Sequence, residues 1–102
     1  MNLAQLMKQA KQMQKKMNAA TKEFENKTFE FAGQQNLIKG TIKGDLSLVE
    51  LHIDDSLLSS DNKEVLSDML MITINDITKK VSKEKEDTLN KVSNGVDVSM
   101  FM

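Results

Sequence analysis

Five lysines recur in the first part of the sequence at spacings that place most of them on one side of a helix. If Leu3 is the first position of a helical heptad, Lys8, Lys15 and Lys22 occupy the same heptad position. Successive members of this set lie about 10 Å apart along the helix axis. No acidic residue precedes Glu23. A row of unopposed ammonium groups is suited to the phosphates of a polyanion. The five are Lys8, Lys11, Lys15, Lys16 and Lys22.

The alternative is that this lysine face is simply solvated, because any amphipathic helix carries charge opposite its apolar side. Solvated faces usually mix both signs of charge, since oppositely charged neighbours stabilise a helix. The absence of carboxylates over the first twenty-two residues therefore favours contact with a polyanion.

Charge is distributed unevenly along a chain of 102 residues whose net charge is only -1. Residues 1–43 carry eight Lys and three Glu, a net +5, whereas residues 44–78 carry one Lys and eight acids, a net -7. Such a dipole would orient the encounter with a polyanion. All 14 basic residues are Lys, which lacks the bidentate fork that reads guanine, so contacts mainly to a phosphate backbone are expected.

A second lysine cluster, at positions 79, 80, 83 and 85, is partly neutralised by three acids between positions 84 and 87. Contact with phosphate and ordinary solvation both remain open for it. Lys79 and Lys80 are the better candidates for a binding role because no acid adjoins them in sequence.

The remaining reactive side chains do not form a recognisable catalytic or metal-binding set. The chain has no Cys, and its single His52 stands beside Glu50 without a second type of metal ligand. Asp54, Asp55 and Asp61 do not have the spacing of a calcium-binding loop. No Ser or Thr has a matching His and acid pair. We therefore expect no catalytic residue, no metal, no cofactor and no small-molecule substrate.

The five lysines between residues 8 and 22 are expected to lie on a long helix from residue 2 to about residue 25. Apolar or small residues recur there at alternating spacings of three and four, which is the pattern of a helical stripe. Asn2 is a suitable N-cap. The stripe consists of Leu3, Leu6, Ala10, Met13, Met17, Ala20 and Phe24.

Three short strands are predicted next, over residues 28–31, 37–43 and 46–53. Turn-forming residues separate them at 33–36 and 43–45, so an antiparallel meander is expected. In the third strand Val49, Leu51 and Ile53 fall on one face. The alternation changes phase between Leu46 and Val49, which suggests a β-bulge.

A second helix is predicted from residue 62 to about residue 91. Asp61 with Glu64 resembles a capping box, and Gly95 can terminate the helix. Residues 96–102 are expected to be a frayed tail. The predicted fold is thus a single α+β domain over residues 1–102. Without a signal peptide or an apolar span long enough for a membrane, it is expected to be cytoplasmic.

A chain this short buries a modest share of its surface, so pairing with a second copy would help its stability. The side chains expected to pack in the core or in a dimer interface are Leu3, Leu6, Met13, Met17, Phe24, Val49, Leu51 and Ile53. Whether a dimer would use the sheet, the helices or both is left open by the sequence.

Several local strings resemble the YbaB/EbfC family of bacterial nucleoid-associated proteins. The opening string LMKQAKQMQKKM, residues 6–17, is similar in residue type to that family's opening signature. VELHIDDSLL, residues 49–58, resembles its third strand and following loop, with Asp55 in place of the usual Pro. INDITKK, residues 74–80, and SNG, residues 93–95, are also similar, with Lys79 and Lys80 where Arg is common.

The resemblance implies a tweezer-like homodimer whose protruding helices bind double-stranded DNA and alter its conformation. It also implies a place in the cytoplasm at the nucleoid, an influence on nucleoid organisation and gene expression, and no enzymatic activity. The alternative function is a protein-interaction module whose first helix docks an acidic partner in DNA metabolism.

Overall fold

The computed structural model describes residues 2–93, in the order helix, three strands, helix. This order confirms the predicted α+β fold. The frayed tail and the helix stop at Gly95 lie outside the described residues. The elements are α1 (Leu3–Asn26), β1 (Thr28–Ala32), β2 (Ile38–Lys43), β3 (Leu48–Ile53) and α2 (Lys63–Val92).

The three strands form one antiparallel sheet in the order β1-β2-β3, so the predicted meander is confirmed. Phe29 pairs with Ile42, and Phe31 pairs with Gly40, which places both rings on the same face as Ile42. The register between β2 and β3 shifts between Thr41 and Ile42. This irregularity confirms the bulge that the change of phase predicted.

The core forms where the end of α1 and the middle of α2 meet this face of the sheet. Phe24 from α1, Ile42 from β2, and Ile77 and Val81 from α2 are buried together, and the rings of Phe29 and Phe31 pack against them. Gly44 permits this closeness, because a Cβ there would overlap the carbonyl oxygen of Phe24.

The molecule is far from spherical, with extents of 69 × 19 × 17 Å. Its radius of gyration is 19.5 Å, whereas a compact domain of this length would have about 13 Å. Phe24, the core contact of α1, lies near the end of that helix, so the preceding turns extend away from the sheet. We call residues 3–22 of α1 together with residues 82–92 of α2 the arm.

The predicted beginning of the third strand at Leu46 is wrong. Leu46 lies in a turn with φ of 70°, and β3 begins at Leu48. The Asp45 carboxylate accepts a hydrogen bond from the Ser47 N–H at 2.9 Å, and Leu46 N–H donates to the Lys43 carbonyl at 2.8 Å. The Asp45 side chain therefore tightens the turn and delays the strand.

The predicted capping box of the second helix is also wrong. Helix α2 follows a 3-10 turn, Ser60–Asn62, and its N-cap residue Asn62 makes no side-chain capping bond. The Asn62 amide instead donates to the Ser56 carbonyl at 2.7 Å. Leu57, assigned to a loop by the sequence, is buried and anchors this segment.

The loop before α2 is organised by Asp54. Its carboxylate accepts hydrogen bonds from the Ser56 hydroxyl at 2.6 Å and from the Ser56 N–H at 3.0 Å. Because both bonds favour the ionised carboxylate, they lower the pKa of Asp54 below its usual value. The loop geometry accounts for this aspartate without a metal ion.

Candidate nucleic-acid interface

Helix α1 begins where the sequence predicts, because the Asn2 side chain accepts a hydrogen bond from the Gln5 N–H at 2.8 Å. Along one side of the helix Phe24 is buried, and Met13 and Met17 are half-buried against α2. This side fixes the rotation of α1 about its own axis. The five lysines that the sequence analysis assigned to this helix are all exposed.

Four of these lysines share a narrow sector of the helix surface. At ~100° per residue, Lys8, Lys11, Lys15 and Lys22 fall within about 60°, roughly opposite the buried stripe. Lys8 and Lys22 are about 21 Å apart along the axis. We call these four residues the lysine row. Lys16 lies about 80° around the helix from Lys8, so it flanks the row.

No carboxylate neutralises the lysine row within residues 2–93. The lysine ion pair in this part of the chain joins Lys83 to Asp87 at 3.9 Å, and His52 lies 3.9 Å from Glu50. Lys11 and Lys15, by contrast, are like charges four residues apart, an arrangement that destabilises a helix. The row therefore does not serve the stability of the protomer through ion pairs.

Lys79 and Lys80 are both exposed, but they do not form one patch. As consecutive residues of α2 they leave the helix about 100° apart. Lys79 lines a cleft beside Leu46, whereas Lys80 lines a different cleft that it shares with Glu30 and Asp76. Carboxylates thus line both clefts, since Glu86 shares the cleft of Lys79.

The acidic residues of the middle segment are all exposed around the sheet and the first half of α2. They lie away from the first turns of α1, so the charge dipole of the sequence becomes a charge dipole of the elongated molecule. We call this acidic part the body. The residues are Asp45, Glu50, Asp54, Asp55, Asp61, Glu64, Asp68 and Asp76.

The packing residues expected from the sequence fall into two groups. Phe24 is buried, and Met13, Met17 and Ile53 are half-buried, within the protomer. The other four are exposed in the protomer, at Leu3, Leu6, Val49 and Leu51. Lys27, which the sequence analysis did not single out, has its ammonium 5.7 Å from the ring centre of Phe24 and 5.6 Å from that of Phe29.

His52 is exposed and faces Glu50, as its position on the polar side of the strand predicted. Within residues 2–93 no three His, Cys or acidic side chains cluster in a way that could hold a metal ion. Neither of the two described helices combines the length and the apolar character needed to cross a membrane.

Comparison with protein-family models matches residues 1–96 to the YbaB/EbfC DNA-binding family. The chain belongs to this family. The resemblance that the opening string indicated is therefore confirmed. The lysine-bearing helix α1 described above lies within the matched residues.

Two relatives of similar length and one solved structure of similar fold support the assignment. A nucleoid-associated protein of Rickettsia canadensis is 32% identical over 97 residues, covering 95% of this chain and 91% of that protein. A nucleoid-associated protein of Lactococcus lactis is 32% identical over 96 residues, covering 94% and 97%. The crystal structure of an uncharacterized Helicobacter pylori protein matches with a TM-score of 0.74 and 26% identity, over 85% and 91% of the two chains.

Replacing Lys11 by Glu should stabilise this YbaB/EbfC protein. The change removes the repulsion between Lys11 and Lys15 and introduces an attractive Glu–Lys pair at the favourable i, i+4 spacing. The expected gain is about 0.5 kcal/mol, measured as a rise of a few degrees in the melting temperature.

The matched control is Lys83→Glu, which reverses charge on the exposed face of α2 but breaks the ion pair with Asp87. It should lower the melting temperature. A fall for Lys11→Glu as well would show that the lysine row has stabilising partners in the folded protein.

Proposed function

We propose that this YbaB/EbfC protein binds double-stranded DNA as a homodimer, chiefly through the phosphate backbone, and thereby alters the conformation of the DNA. The observation that supports this most is the lysine row, which is exposed and without carboxylate partners along the arm. Four like charges on one side of a helix raise its energy unless a polyanion neutralises them.

The dimensions of the lysine row fit a duplex. The row covers about 21 Å, and double-stranded DNA carries one charge per ~1.7 Å of its axis, so phosphates are available to all four ammonium groups. Neutralising them releases counterions, which favours binding at low salt. Lys side chains act here as point charges, so weak sequence preference is expected.

The acidic body supports a particular orientation of the complex. Eight exposed carboxylates around the sheet and on the first half of α2 repel phosphates, while the arm attracts them. DNA therefore approaches the arm and does not wrap the body. With two arms in one dimer, contacts to separate parts of the backbone would bend or bridge the duplex without reading its bases.

The names of the Rickettsia and Lactococcus relatives support the cellular setting that we propose, which is the nucleoid in the cytoplasm. The role is that of a binding protein that influences nucleoid organisation and gene expression, without catalysis. A protein-interaction module for an acidic partner would use the same lysines, but membership of a DNA-binding family favours DNA.

The affinity for duplex DNA should fall steeply with salt. If each of two arms neutralises four phosphates, the logarithm of the binding constant should change with the logarithm of salt concentration with a slope of about -7. Lys11→Gln/Lys15→Gln should make the slope shallower by about four, because two contacts are lost from each arm. A fluorescence anisotropy titration of a labelled duplex at several salt concentrations measures both values.

Lys39→Gln/Lys63→Gln is the matched control, since it removes the same charge from two exposed lysines outside the arm. Its slope should equal that of the wild type. Equal slopes for all three proteins would contradict backbone binding by the lysine row. An acidic protein partner that binds more tightly than duplex DNA at physiological salt would favour the interaction module.

Strand β3 supports the homodimer, because it is an edge strand with uncovered apolar side chains. Leu48 and Leu51 pair with Ile42 and Gly40, so they share the face of the sheet on which Ile42 is fully buried. They are nevertheless 44% and 40% exposed, and Val49 at the bulge is 54% exposed. Such an edge invites pairing with another strand. A second copy that pairs along β3 would cover these side chains.

Replacing Val49 by Asp should convert the dimer to a monomer, because a carboxylate would be buried against the partner's apolar face. The protomer should stay folded, since Val49 is more than half exposed within it. Sedimentation velocity measures the change in mass, and DNA affinity should fall with it because one arm is lost.

His52→Asp is the control on the opposite face of the same strand, where the side chain is exposed and faces Glu50. This variant should remain dimeric. A Val49→Asp protein that sediments as a dimer would exclude β3 as the contact between copies.

A further inference from the structure

Strand β1 forms the second edge of the sheet, and some of its backbone groups point away from the sheet. At its two ends the Gly44 N–H donates to the Lys27 carbonyl at 2.9 Å, and the Gly33 N–H donates to the Ile38 carbonyl at 2.7 Å. In an antiparallel pair, positions bonded in this way alternate with positions whose N–H and C=O face outwards. The outward positions of β1 are the exposed residues Thr28, Glu30 and Ala32.

The outward N–H and C=O groups of β1 are available to a further strand. Within residues 2–93 they form no backbone hydrogen bond. A row of unpaired backbone groups along an edge is a template for another strand, which would lie about 4.8 Å from β1. The sheet can therefore accept a fourth strand on this side.

One side of α2 lines a cleft beside this edge, which we call the β1 cleft. Ile72 is 62% exposed there, while Met69 and the ring of Phe31 from β1 are half-buried. A fourth strand would bring every second side chain onto this side of α2 and would cover Ile72. The residues of α2 that line the cleft without being buried lie within about 80° of one another around the helix axis. They are Met69, Ile72, Asp76 and Lys80.

The charges beside the edge favour a basic residue in the fourth strand. On the face of the sheet opposite the core, Glu30 pairs with Thr41, and Thr41 pairs with Glu50, so that the three form a row across the sheet. A residue opposite Glu30 would extend this row beside a carboxylate, where a positive charge is favourable. In the cleft itself Asp76 and Lys80 offset each other, which leaves the charge of Glu30 in excess.

The strands of this chain match the edge poorly, which disfavours a second copy as the fourth strand. If two β1 strands paired antiparallel with full overlap, Glu30 would lie opposite Glu30, and like charges destabilise such a pair. Strand β3, Leu48–Ile53, reads LVELHI and offers no lysine to Glu30. A segment of another protein is therefore the better match.

We propose that the edge of β1 and the β1 cleft bind an extended segment of another protein, with alternating apolar side chains and a Lys or Arg opposite Glu30. The segment adds a fourth strand through the backbone of β1, and its apolar side chains pack on Phe31 and Ile72. This site lies on the body, away from the lysine row. The inference goes beyond the proposed DNA binding, and either can fail while the other holds.

Selection of phage-displayed heptapeptides on the full-length protein, without DNA, tests the chemistry of the segment. The enriched peptides should have apolar residues at alternate positions and a Lys or Arg between two of them. A synthetic copy of the most enriched peptide is then titrated by fluorescence anisotropy. Replacing its basic residue by Glu should weaken binding about 10-fold, because attraction to Glu30 becomes repulsion.

Two pairs of variants locate the site. Glu30→Lys should reverse the preference, so that the Glu form of the peptide binds more tightly, whereas Glu50→Lys, two strands away on the same face, should not. Ile72→Asp should weaken binding at least ~10-fold, because a carboxylate would be buried under the peptide. Met71→Asp, on another side of α2, should leave binding unchanged. Ile72 and Met71 are 62% and 58% exposed, so both variants should fold.

Amide hydrogen exchange with and without the saturating peptide tests the geometry. The N–H groups of Thr28, Glu30 and Ala32 should exchange at least ~10-fold more slowly with the peptide, because each gains a hydrogen-bond partner. Those of Phe29 and Phe31, which already face β2, should change much less.

The absence of an enriched alternating motif would overturn the proposal, and so would peptides that bind equally to the wild type, Glu30→Lys and Ile72→Asp proteins. A dimeric wild type that becomes a monomer with Ile72→Asp in sedimentation velocity would also overturn it, because a second copy would then occupy the β1 cleft. The expected result is a set of basic alternating peptides that depend on Glu30 and Ile72 and protect the outward amides of β1.

Discussion

The one-sided burial of α1 is the constraint on which the other features depend. Phe24 locks the end of this helix into the core with Ile77 and Val81, while Lys27 lies over the rings of Phe24 and Phe29. A helix held at this end cannot rotate about its axis without exposing Phe24, which would lose about 2–3 kcal/mol of apolar burial. The orientation of every lysine on α1 follows from that contact.

Because the orientation is fixed, charge is segregated in space as well as in sequence. The lysine row presents ammonium groups without carboxylate partners, and the body presents the eight acids of the middle segment. The same elongation that separates the charges leaves apolar side chains of α1 and β3 exposed in the protomer. Two copies joined through β3 would carry two basic arms on one acidic body, which explains the proposed binding without any feature that reads bases.

Much of this arrangement could be predicted from the sequence, because it depends on periodicity. The three-four spacing from Leu3 to Phe24 predicts the helix and the side on which its lysines lie, and the change of phase before Val49 predicts the bulge. Periodicity does not show where a polar side chain forms a hydrogen bond with the backbone and thereby changes a turn or the start of a helix. Asp45 closes a turn that delays β3, and Asn62 binds the Ser56 carbonyl where a capping box was expected.

The sequence also could not predict which apolar side chains other elements of the fold would bury. Alternation assigns Val49, Leu51 and Ile53 to an apolar face, but it does not tell which element covers that face. Leu3 and Leu6 continue a regular stripe, although α2 is too short to reach them within the described residues. Lys79 and Lys80 are adjacent in sequence, and only their setting on α2 places them beside different clefts.

Lysine footprinting tests the central claim most directly. The protein is reductively methylated with and without duplex DNA, and the modification of each lysine is quantified by mass spectrometry. The account predicts that DNA protects Lys8, Lys11, Lys15 and Lys22, while Lys39 and Lys63 on the body react equally in both samples. Protection of Lys39 and Lys63 with the lysine row still reactive would contradict it.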